Sequence, residues 1–409
     1  MIKVWSDNLV AGNLGRHQDR GSAFVYLTEA PPERAVSMTM PVRLASWDQA
    51  IGLHPIFEMN LPEGYLRERL RLGFAKATGA FDDLDLLAIV GRSQIGRLRY
   101  TAPDGELDEE VPFLSVDEIL ATRRDGDLFA YMMERFARYS GIAGVQPKVM
   151  IRDEANAKAF EYTEERRSPS VRGATHIVKL WDPSEYPQLA ANEYFCLMAA
   201  ERAGLAVPQR RLSDDGSALV IDRFDLRADG TYMGLEDFCV LNAKGTARKY
   251  DGSYEANIFK RAAEYIPAEL HRVELEKLFT LFVLNTVVRN GDAHLKNFAL
   301  TYDDVNGAAR IADVYDVVTT VAYLPKDVMA LTLNGSTRWP DAKTLKKLGT
   351  LRAGLTPSEV DVILERVATA VSETGKDMQR HIQDAPAFAE IGTRMGEIWA
   401  AGIRESLTR

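Results

Sequence analysis

Two polar residues in the second half of the chain, Asp292 and Asn297, are separated by four residues. A carboxylate can accept a proton, and a side-chain amide oxygen can bind a hard cation such as Mg²⁺. Phosphoryl transfer needs both roles side by side, because a base must face the attacking oxygen while a cation neutralises the phosphates. Lys296 would neutralise charge on the transferred group. The spacing therefore predicts a phosphotransfer site with Asp292 and Lys296 as catalytic residues and Asn297 as a magnesium ligand.

The residues before this loop favour the same interpretation. Residues 278–288 are apolar on nearly every side, which predicts a buried helix, and the run is shorter than the roughly 20 residues needed to cross a bilayer. Polar side chains beside a buried helix are disfavoured unless each has a partner or a task. The interval between Asp292 and Asn297 is that of the protein-kinase catalytic loop. The alternative is a polar loop that caps the helix through local backbone hydrogen bonds.

A further carboxylate lies downstream, where residues 312–318 place Asp316 in an apolar, β-branched setting. An unpaired carboxylate is strongly disfavoured there, and a bound metal would resolve the conflict. Asp316 is therefore predicted to be the second magnesium ligand. Asp313 is the rival, because it lies closer to Asn297 in sequence, and a helix N-cap or Asx-turn aspartate is the structural alternative.

Upstream, Lys179 lies in the apolar segment 177–180, which is similar to the kinase strand that presents a lysine to the α and β phosphates of ATP. The helix predicted at residues 188–205 carries Glu193 within its apolar stripe, and a carboxylate on a buried face needs a cation. We expect Lys179 and Glu193 to pair. The alternative is that both side chains reach the surface along apolar stems.

A turn predicted between Gly141 and Gly144 precedes a strand, and its backbone N–H groups could bind phosphate oxygens, with Gln146 and Lys148 nearby. A plain hairpin turn is the alternative, because no P-loop string is present. A further strand, predicted at residues 217–221, ends where a kinase would expose backbone groups to adenine, at Asp222, Arg223 and Phe224.

Composition limits the class of protein. The formal net charge of −9 argues against a surface that binds nucleic acid throughout, so any DNA contact would be local or come from a partner. Cys196 and Cys239 have no CxxC spacing and no signal peptide is recognisable, which favours a reducing cytoplasm and no membrane association. The 6 histidines show no metal-type pairing, which disfavours a metalloenzyme, and His294 is interpreted as an orienting group in the loop.

The predicted elements position these residues on two kinds of scaffold. Strand patterns dominate the start of the chain, and beyond residue 226 the patterns are almost entirely helical. We predict an α+β protein with three parts: an N-terminal subdomain at residues 1–103, a small β-rich lobe with the phosphate turn at 113–225, and a large helical lobe with the catalytic loop at 226–409.

Taken together, these residues resemble the HipA family of bacterial toxin kinases over nearly the whole chain. Residues 143–148 are similar to the A-G-x-Q-x-K phosphate-binding segment of the family, and residues 176–180 to its ATP-lysine strand. Residues 192–194 resemble its N-E-Y helix, residues 292–297 its D-x-H-x-K-N loop, and residues 315–316 the Y-D of its metal site. Residues 57–64 resemble its N-L-L-P-E-G segment.

The resemblance implies a two-lobed protein-kinase-like fold and an ATP-dependent, magnesium-dependent serine/threonine-protein kinase. It also implies the toxin of a toxin–antitoxin pair, with a HipB-like helix-turn-helix antitoxin, operator DNA bound through that complex, and an aminoacyl-tRNA synthetase as substrate. Asn297 and Asp316 would bind the metal. ATP would be bound by residues spread along the chain: Ala143, Gly144, Val145, Gln146, Pro147, Lys148, Lys179, Glu193, Asp222, Arg223, Phe224, His294 and Tyr315.

The sequence departs from the family pattern in the phosphate turn. The family implies autophosphorylation at a serine in S-x-x-G-x-Q-x-K, but Gly141 occupies that position and Ser140 precedes it. Either Ser140 substitutes for the regulatory serine or this regulation is absent. The family's basic DNA-contacting loop is matched best by residues 336–347, for which a solvated helix face is the alternative.

Two other functions remain open from the sequence. A small-molecule kinase of the aminoglycoside or choline type shares the G-D-x-H loop, but has no need for residues 57–64 or the A-G-x-Q-x-K turn. A catalytically silent corepressor would act with its antitoxin on DNA. It predicts a missing catalytic residue, whereas all of the proposed residues are present.

Overall fold

The computed structural model describes residues 1–17, 20–78, 81–107, 110–121, 128–153, 173–181 and 186–408. The chain forms two compact units. The first unit comprises Met1–Leu180, Val220–Thr246 and Thr301–Ala308, and the second comprises Trp181–Leu219, Ala247–Leu300 and Ala309–Arg409.

The strands of the described residues are short and lie mainly in the first half of the chain. In chain order they are β1 (Ile2–Ser6), β2 (Leu9–His17), β3 (Gly21–Tyr26), β4 (Trp47–Gln49), β5 (Leu98–Thr101), β6 (Lys148–Ile151), β7 (His176–Leu180), β8 (Arg210–Leu212), β9 (Ala218–Asp222), β10 (Gly234–Asp237), β11 (Ala299–Tyr302) and β12 (Arg310–Ile311).

The longest helices of the described residues lie in the last third of the chain. In chain order the α-helices are α1 (Pro55–Glu58), α2 (Gly64–Thr78), α3 (Asp83–Val90), α4 (Val116–Ala121), α5 (Leu128–Phe136), α6 (Leu189–Arg202), α7 (Phe238–Leu241), α8 (Arg261–Tyr265), α9 (His271–Val287), α10 (Ala342–Arg352), α11 (Pro357–Asp384) and α12 (Ala389–Ser406). A π-helix, Tyr254–Lys260, precedes α8.

In the first unit, an N-terminal sheet has the strand order β4-β3-β2-β1-β5. β1 and β2 are antiparallel and are joined by Asp7 and Asn8, which both have positive φ, at 50° and 63°. This conformation matches the twist of a tight hairpin, and aspartate and asparagine tolerate it better than most residues. The strand pattern at the start of the chain therefore forms a hairpin.

A second structural feature of the first unit is the antiparallel pair β6 and β7, which carries two lysines at matching positions. Lys148 lies directly opposite Lys179 in the register of the pair. Directly opposed residues of antiparallel strands point to the same face of the sheet. The fold therefore brings two cationic side chains to one face, next to the turn that precedes β6.

The second unit is built around α9, which packs against α10, α11 and α12 and contacts α6. All of its residues from Leu278 to Val287 are buried. Gly402 of α12 lies so close to the end of α9 that a β-carbon there would be 3.2 Å from the Cα atom of Val287, and closer still to its carbonyl group. The predicted buried helix is confirmed, and its C-terminal end is the point from which the polar loop starts.

The predicted α+β class is confirmed, with a β-rich N-terminal region and a helical C-terminal part. The expectation of almost entirely helical structure beyond residue 226 is wrong for three short strands, β10, β11 and β12. Strands of two to four residues are too short to show an alternating pattern. The bounds of the three predicted parts stay predictions. Among the helices of the described residues, none is long and apolar enough to cross a membrane.

Candidate active site

The polar loop begins with an unusual backbone conformation at the end of α9. Arg289 has φ of 57°, in the left-handed region that usually ends a helix with glycine. The next residue closes the turn, because the Asn290 amide donates to the Asn285 carbonyl at 2.9 Å and the Asn290 side chain to the Asn285 side chain at 2.8 Å. The loop therefore leaves the helix in a defined direction.

The side chain of Arg289 holds this strained turn in place. Its guanidinium donates to the Thr286 carbonyl and to the Ser406 hydroxyl, both at 3.0 Å, and to the Glu405 carboxylate at 2.7 Å. Charge-assisted hydrogen bonds of a buried arginine are among the stronger polar contacts in proteins. The end of α12 therefore fixes the start of the candidate catalytic loop.

Gly291 is required by close packing. A β-carbon at this position would overlap the Asp327 carboxylate and lie 2.6 Å from the Val328 carbonyl oxygen. Its amide donates to the Thr320 hydroxyl at 2.8 Å, and that hydroxyl also lies within hydrogen-bond reach of the Asp327 carboxylate. The residue before Asp292 is therefore held on both sides by the segment 320–328.

Asp292 presents a partly exposed carboxylate, with 48% of the side-chain surface accessible. Its Oδ1 accepts a hydrogen bond from the Tyr250 hydroxyl at 2.6 Å and lies 3.9 Å from Nε2 of His294. Partial burial raises the pKa of Asp292 above its usual value; the Tyr250 hydrogen bond lowers it, and the charges of Asp316 and Asp327 raise it again. Solvent can therefore reach the carboxylate.

Asn297 connects the two carboxylate-bearing segments. Its side-chain N–H₂ group donates to the main-chain carbonyl of Asp292 at 2.8 Å and to that of Asp316 at 3.5 Å. With the amide nitrogen used in this way, Oδ1 is the part of the side chain left to bind a cation. The structure thus brings Asp292, Asn297 and Asp316, which were predicted from the sequence, together within the second unit.

Asp316 lies in a strained backbone conformation, with φ of 52°. Its amide donates to Oε1 of Glu193 at 3.2 Å, and Glu193 is fully buried on α6. Strained residues that the surrounding structure holds in place are concentrated at functional sites. Burial raises the pKa of the rival, Asp313, and a nearby lysine, Lys277, lowers it.

The residue before Glu193 fixes the same segment. Asn192 accepts a hydrogen bond from the Thr319 amide at 2.8 Å and donates to the Thr319 carbonyl at 3.2 Å. The Thr319 hydroxyl in turn accepts a hydrogen bond from the indole N–H of Trp399 at 2.8 Å. Two adjacent residues of α6 therefore hold the backbone on which Asp316 is carried.

The remaining residues of the loop are largely buried and are held by further hydrogen bonds. The Tyr315 hydroxyl donates to the Lys296 carbonyl at 2.9 Å, which connects the segment around Asp316 to the loop a second time. Lys296 and His294 are largely buried, at 8% and 5% exposure. The Tyr254 hydroxyl donates to the Ala293 carbonyl at 3.0 Å.

In the first unit, the phosphate turn brings together the groups expected there. Gly144 has φ of 111°, a conformation that disfavours other residues, and a β-carbon would clash with Nζ of Lys148. Its amide donates to the carboxylate of Glu63 at 3.0 Å. Lys148 and Lys179 are each 3% exposed. The region thus has two buried cationic side chains and an amide that already binds a carboxylate. Such a set of groups is suited to an anion.

Other residues of the predicted ATP set have mainly structural contacts. The Gln146 side chain donates to the Leu180 carbonyl at 3.0 Å, and the Leu180 amide donates to the Pro147 carbonyl at 2.8 Å. Val145 is 62% exposed, and its neighbour Ala143 is half-buried. These bonds hold the turn against the end of β7.

The end of β9 is fixed by a buried ion pair. Arg223 donates to the Asp225 carboxylate at 2.6 Å and to the Gln94 carbonyl at 2.8 Å. Asp222 lies 3.3 Å from Nε2 of His176. The side chain of Arg223 therefore stabilises the first unit, while contact of Asp222, Arg223 and Phe224 with ATP stays a prediction.

Ser140 is fully buried at the start of the turn. Its hydroxyl donates to the Phe136 carbonyl and accepts a hydrogen bond from the Met150 amide, both at 2.8 Å. Phosphorylation of Ser140 would require this segment to leave its position. The pairing of Lys179 with Glu193 also stays a prediction, since the two residues belong to different units.

Three residues that contact these sites were given no individual role from the sequence. Tyr250 bonds to Asp292 across 42 positions, Glu63 bonds to Gly144 across 81, and Asn192 to Thr319 across 127. No local pattern reveals such distant partners. Glu63 lies in the segment 57–64 and Asn192 in the segment 192–194, and the resemblance of these segments is the feature that could have drawn attention to both residues.

Two family models match this chain, one in its N-terminal and one in its C-terminal part. Residues 2–101 match the family described as "HipA N-terminal domain", and residues 140–374 match the "HipA-like C-terminal domain". Two proteins of Sinorhizobium fredii are similar, "Putative kinase Y4mE" at 29% identity and "Putative kinase Y4dM" at 28%. The first match covers 79% of this chain and 78% of the relative, and the second covers 68% and 65%.

A solved structure shows the same fold. It is a chain from a complex of the Shewanella oneidensis MR-1 toxin–antitoxin proteins HipA and HipB with their operator DNA, with a TM-score of 0.67 and 16% identity. The likeness covers 99% of this chain and 97% of that chain. With family matches to both the N-terminal and the C-terminal domain, the chain belongs to the HipA family.

Proposed function

We propose that this protein is an ATP-dependent serine/threonine-protein kinase in which Asp292 accepts the proton of the acceptor hydroxyl. One observation carries the proposal: the Asn297 amide bonds both the Asp292 carbonyl and the Asp316 carbonyl. That arrangement supports a base and two cation ligands in adjacent positions, which phosphoryl transfer requires. The kinase names of the relatives agree with it.

The oxygen donors of the loop fit magnesium. Mg²⁺ commonly takes one or two protein oxygen ligands and completes its shell with water and substrate phosphates. Oδ1 of Asn297 and the carboxylate of Asp316 supply such a set. Within the part of the chain that the structure describes, no cluster of three or more His, Cys, Asp or Glu side chains could hold a metal alone. When bound, the ion would neutralise charge on the phosphates.

The chain's own residues would perform the remaining tasks. Lys148 and Lys179 would bind the phosphate groups of ATP, since they place two positive charges on one face of β6 and β7. The Gly144 amide would donate to a phosphate oxygen. Lys296 would neutralise charge on the transferred group.

The biological role is proposed from the relatives. The matched Shewanella protein is part of a toxin–antitoxin system bound to operator DNA. We extend this to a cytoplasmic toxin that binds a HipB-like antitoxin, co-represses its operon and phosphorylates a translation component, for which an aminoacyl-tRNA synthetase is the first choice. Direct DNA contact would fall on residues 336–347, where Lys346 already pairs with Asp361 at 2.6 Å and Lys343 lies on the exposed side of α10.

Two alternatives give different results. A small-molecule kinase is disfavoured by the match of residues 2–101 to the HipA N-terminal domain, which aminoglycoside or choline phosphorylation would not need. A silent corepressor is disfavoured by the intact loop. It would bind antitoxin and DNA without transferring phosphate.

Phosphate transfer from labelled ATP with magnesium tests the proposal. The wild type is incubated with a panel of aminoacyl-tRNA synthetases beside three variants, Asp292→Ala, Asn297→Ala and Asp316→Ala. We expect label on one synthetase in the wild type, and a decrease of about 100-fold or more in each variant. A parallel screen with small alcohols tests the small-molecule alternative.

The outcomes separate the candidates. Label on a protein establishes the kinase, and label on a small alcohol alone favours the small-molecule enzyme. Absence of any label despite measurable ATP binding contradicts the active kinase and leaves the corepressor. Label that persists in Asp292→Ala would show that another residue is the base.

A further inference from the structure

The candidate base has an internal hydrogen-bond donor. The Tyr250 hydroxyl lies 2.6 Å from Oδ1 of Asp292. Tyr250 is 50% exposed and the carboxylate is 48% accessible, so both groups meet solvent. The contact therefore lies where an incoming molecule can reach it.

The position of the Tyr250 ring does not depend on this hydrogen bond alone. The ring packs edge-on against His294, with centroids 5.0 Å apart. The preceding residue is tied to the loop by its backbone, since the Leu295 amide donates to the Lys249 carbonyl at 3.0 Å. The phenol can therefore exchange its hydrogen bond while the ring stays next to the loop.

A phenol and an acceptor alcohol make the same contact with a carboxylate. Each has one O–H donor, and a base must accept a hydrogen bond from the group whose proton it takes. An acceptor hydroxyl that approaches Oδ1 of Asp292 therefore meets an oxygen that already accepts one hydrogen bond from Tyr250, and it competes with that bond. Water is the smallest and most abundant acceptor of phosphate, and it competes with Tyr250 for the same oxygen of Asp292.

We propose that Tyr250 is a positioning residue whose hydroxyl donates to Asp292 in the place of an acceptor hydroxyl until such an acceptor displaces it. Tyr250 thereby limits the transfer of phosphate to water. The inference rests on the proposed kinase function. In the limited reaction, a bond forms between the water oxygen and the γ-phosphorus, and the bond from that phosphorus to the ADP oxygen breaks. The water proton goes to Asp292.

The test compares ATP hydrolysis without any protein acceptor in the wild type and in Tyr250→Phe. The variant keeps the ring and its contact with His294 but lacks the hydroxyl. We expect kcat for hydrolysis to rise roughly five-fold, as one exposed hydrogen bond to a charged group would give, with KM for ATP unchanged. The increase should disappear in the double variant with Asp292→Ala.

Tyr254→Phe is the matched control. Its hydroxyl also bonds to this loop, but to the Ala293 carbonyl at 3.0 Å rather than to the base. Loss of that bond should lower the melting temperature without raising hydrolysis. An equal rise in both variants would mean that loosening of the loop causes it, and would overturn the inference.

Failure of the inference and failure of the proposed function give different results. If the wild type labels a protein but Tyr250→Phe hydrolyses ATP at the wild-type rate or more slowly, only the role of Tyr250 is rejected. If neither protein transfers phosphate to protein or water while both bind ATP, both proposals are rejected. Hydrolysis that appears only in Tyr250→Phe would support both.

Discussion

The predicted phosphate turn of the first unit and the candidate catalytic loop of the second unit hold their polar groups in different ways. In the turn, the Gly144 amide donates to a charged side chain, Glu63, from 81 positions away. In the loop, Asn297 donates to the backbone carbonyl of Asp292, five positions away. A phosphate can replace a carboxylate on an amide, whereas no ligand replaces a backbone carbonyl within a folded loop. The comparison suggests an exchangeable anion site and a preformed catalytic loop.

The largest expected effect comes from breaking the preformed loop at Gly291. Gly291→Ala would overlap the Asp327 carboxylate and the Val328 carbonyl. Overpacking of this kind costs about 1–3 kcal/mol of stability, and a shift of the base by about 1 Å can lower transfer by about 100-fold. Thermal melting and phosphate transfer measure the two effects.

Gly375→Ala is the control for this change. Gly375 lies in α11, where an added β-carbon meets no heavy atom within 4 Å. A glycine to alanine change inside a helix stabilises by up to about 1 kcal/mol. Equal losses in the two variants would contradict a specific requirement for glycine in the loop.

The second prediction concerns the strained start of the loop. Arg289→Ala removes the guanidinium from Thr286, Ser406 and Glu405 and is expected to cost about 2–3 kcal/mol of unfolding free energy. Arg289→Gly removes the same contacts but suits the φ of 57°, and should cost about 1 kcal/mol less. Chemical denaturation measures the difference. Identical values would mean that the backbone conformation is unstrained.

The third prediction concerns the exchangeable anion site at the predicted phosphate turn. Glu63→Gln removes a negative charge from the phosphate turn but keeps an oxygen that can accept from the Gly144 amide. We expect KM for ATP to fall about three-fold, because the like charge of the partly buried Glu63 opposes phosphate binding. Glu58→Gln is the control, since Glu58 accepts from the Thr246 amide instead, at 3.0 Å. A rise in KM for ATP in Glu63→Gln would show that the carboxylate organises the site.

The smallest expected effect is a pH-dependent change in stability from Asp292→Asn. The folded pKa of Asp292 is raised, chiefly by partial burial, so its ionised form is less favourable in the folded state than in the unfolded state. This destabilisation is present above the folded pKa and is lost below the unfolded value, near 4. The variant should melt about 1 °C higher at pH 7.5, with the gain lost as the pH falls toward 4. A gain that is constant with pH would contradict the assignment.

The proximity of the residues in the candidate catalytic loop was predictable because they are close in sequence. Asp292 and Asn297 lie in one segment after an apolar helix, and both the helix and their proximity are observed. The strain at Asp316 and the role of Asn192 were not predictable, since φ and a contact over 127 positions leave no local pattern. Tyr250 escaped notice for the same reason.

The fold was predictable where elements are long or strongly alternating. The hairpin of β1 and β2 and the helices α9, α11 and α12 follow their patterns. The strands β10, β11 and β12 do not, because such short strands depend on neighbours in the sheet rather than on their own residues. The common face of Lys148 and Lys179 was not predictable, because it depends on the register of β6 and β7.

The anchor of Arg289 has a consequence for the time at which the loop is completed during synthesis. Ser406, which receives its hydrogen bond, lies 117 positions later in the chain. At roughly 5–20 residues per second, a ribosome needs about 6–23 s to add this interval. A nascent chain therefore carries Asp292 for many seconds before α12 can hold Arg289 in its left-handed turn. The candidate catalytic loop is expected to reach its final form only after α12 has been translated and has left the ribosome.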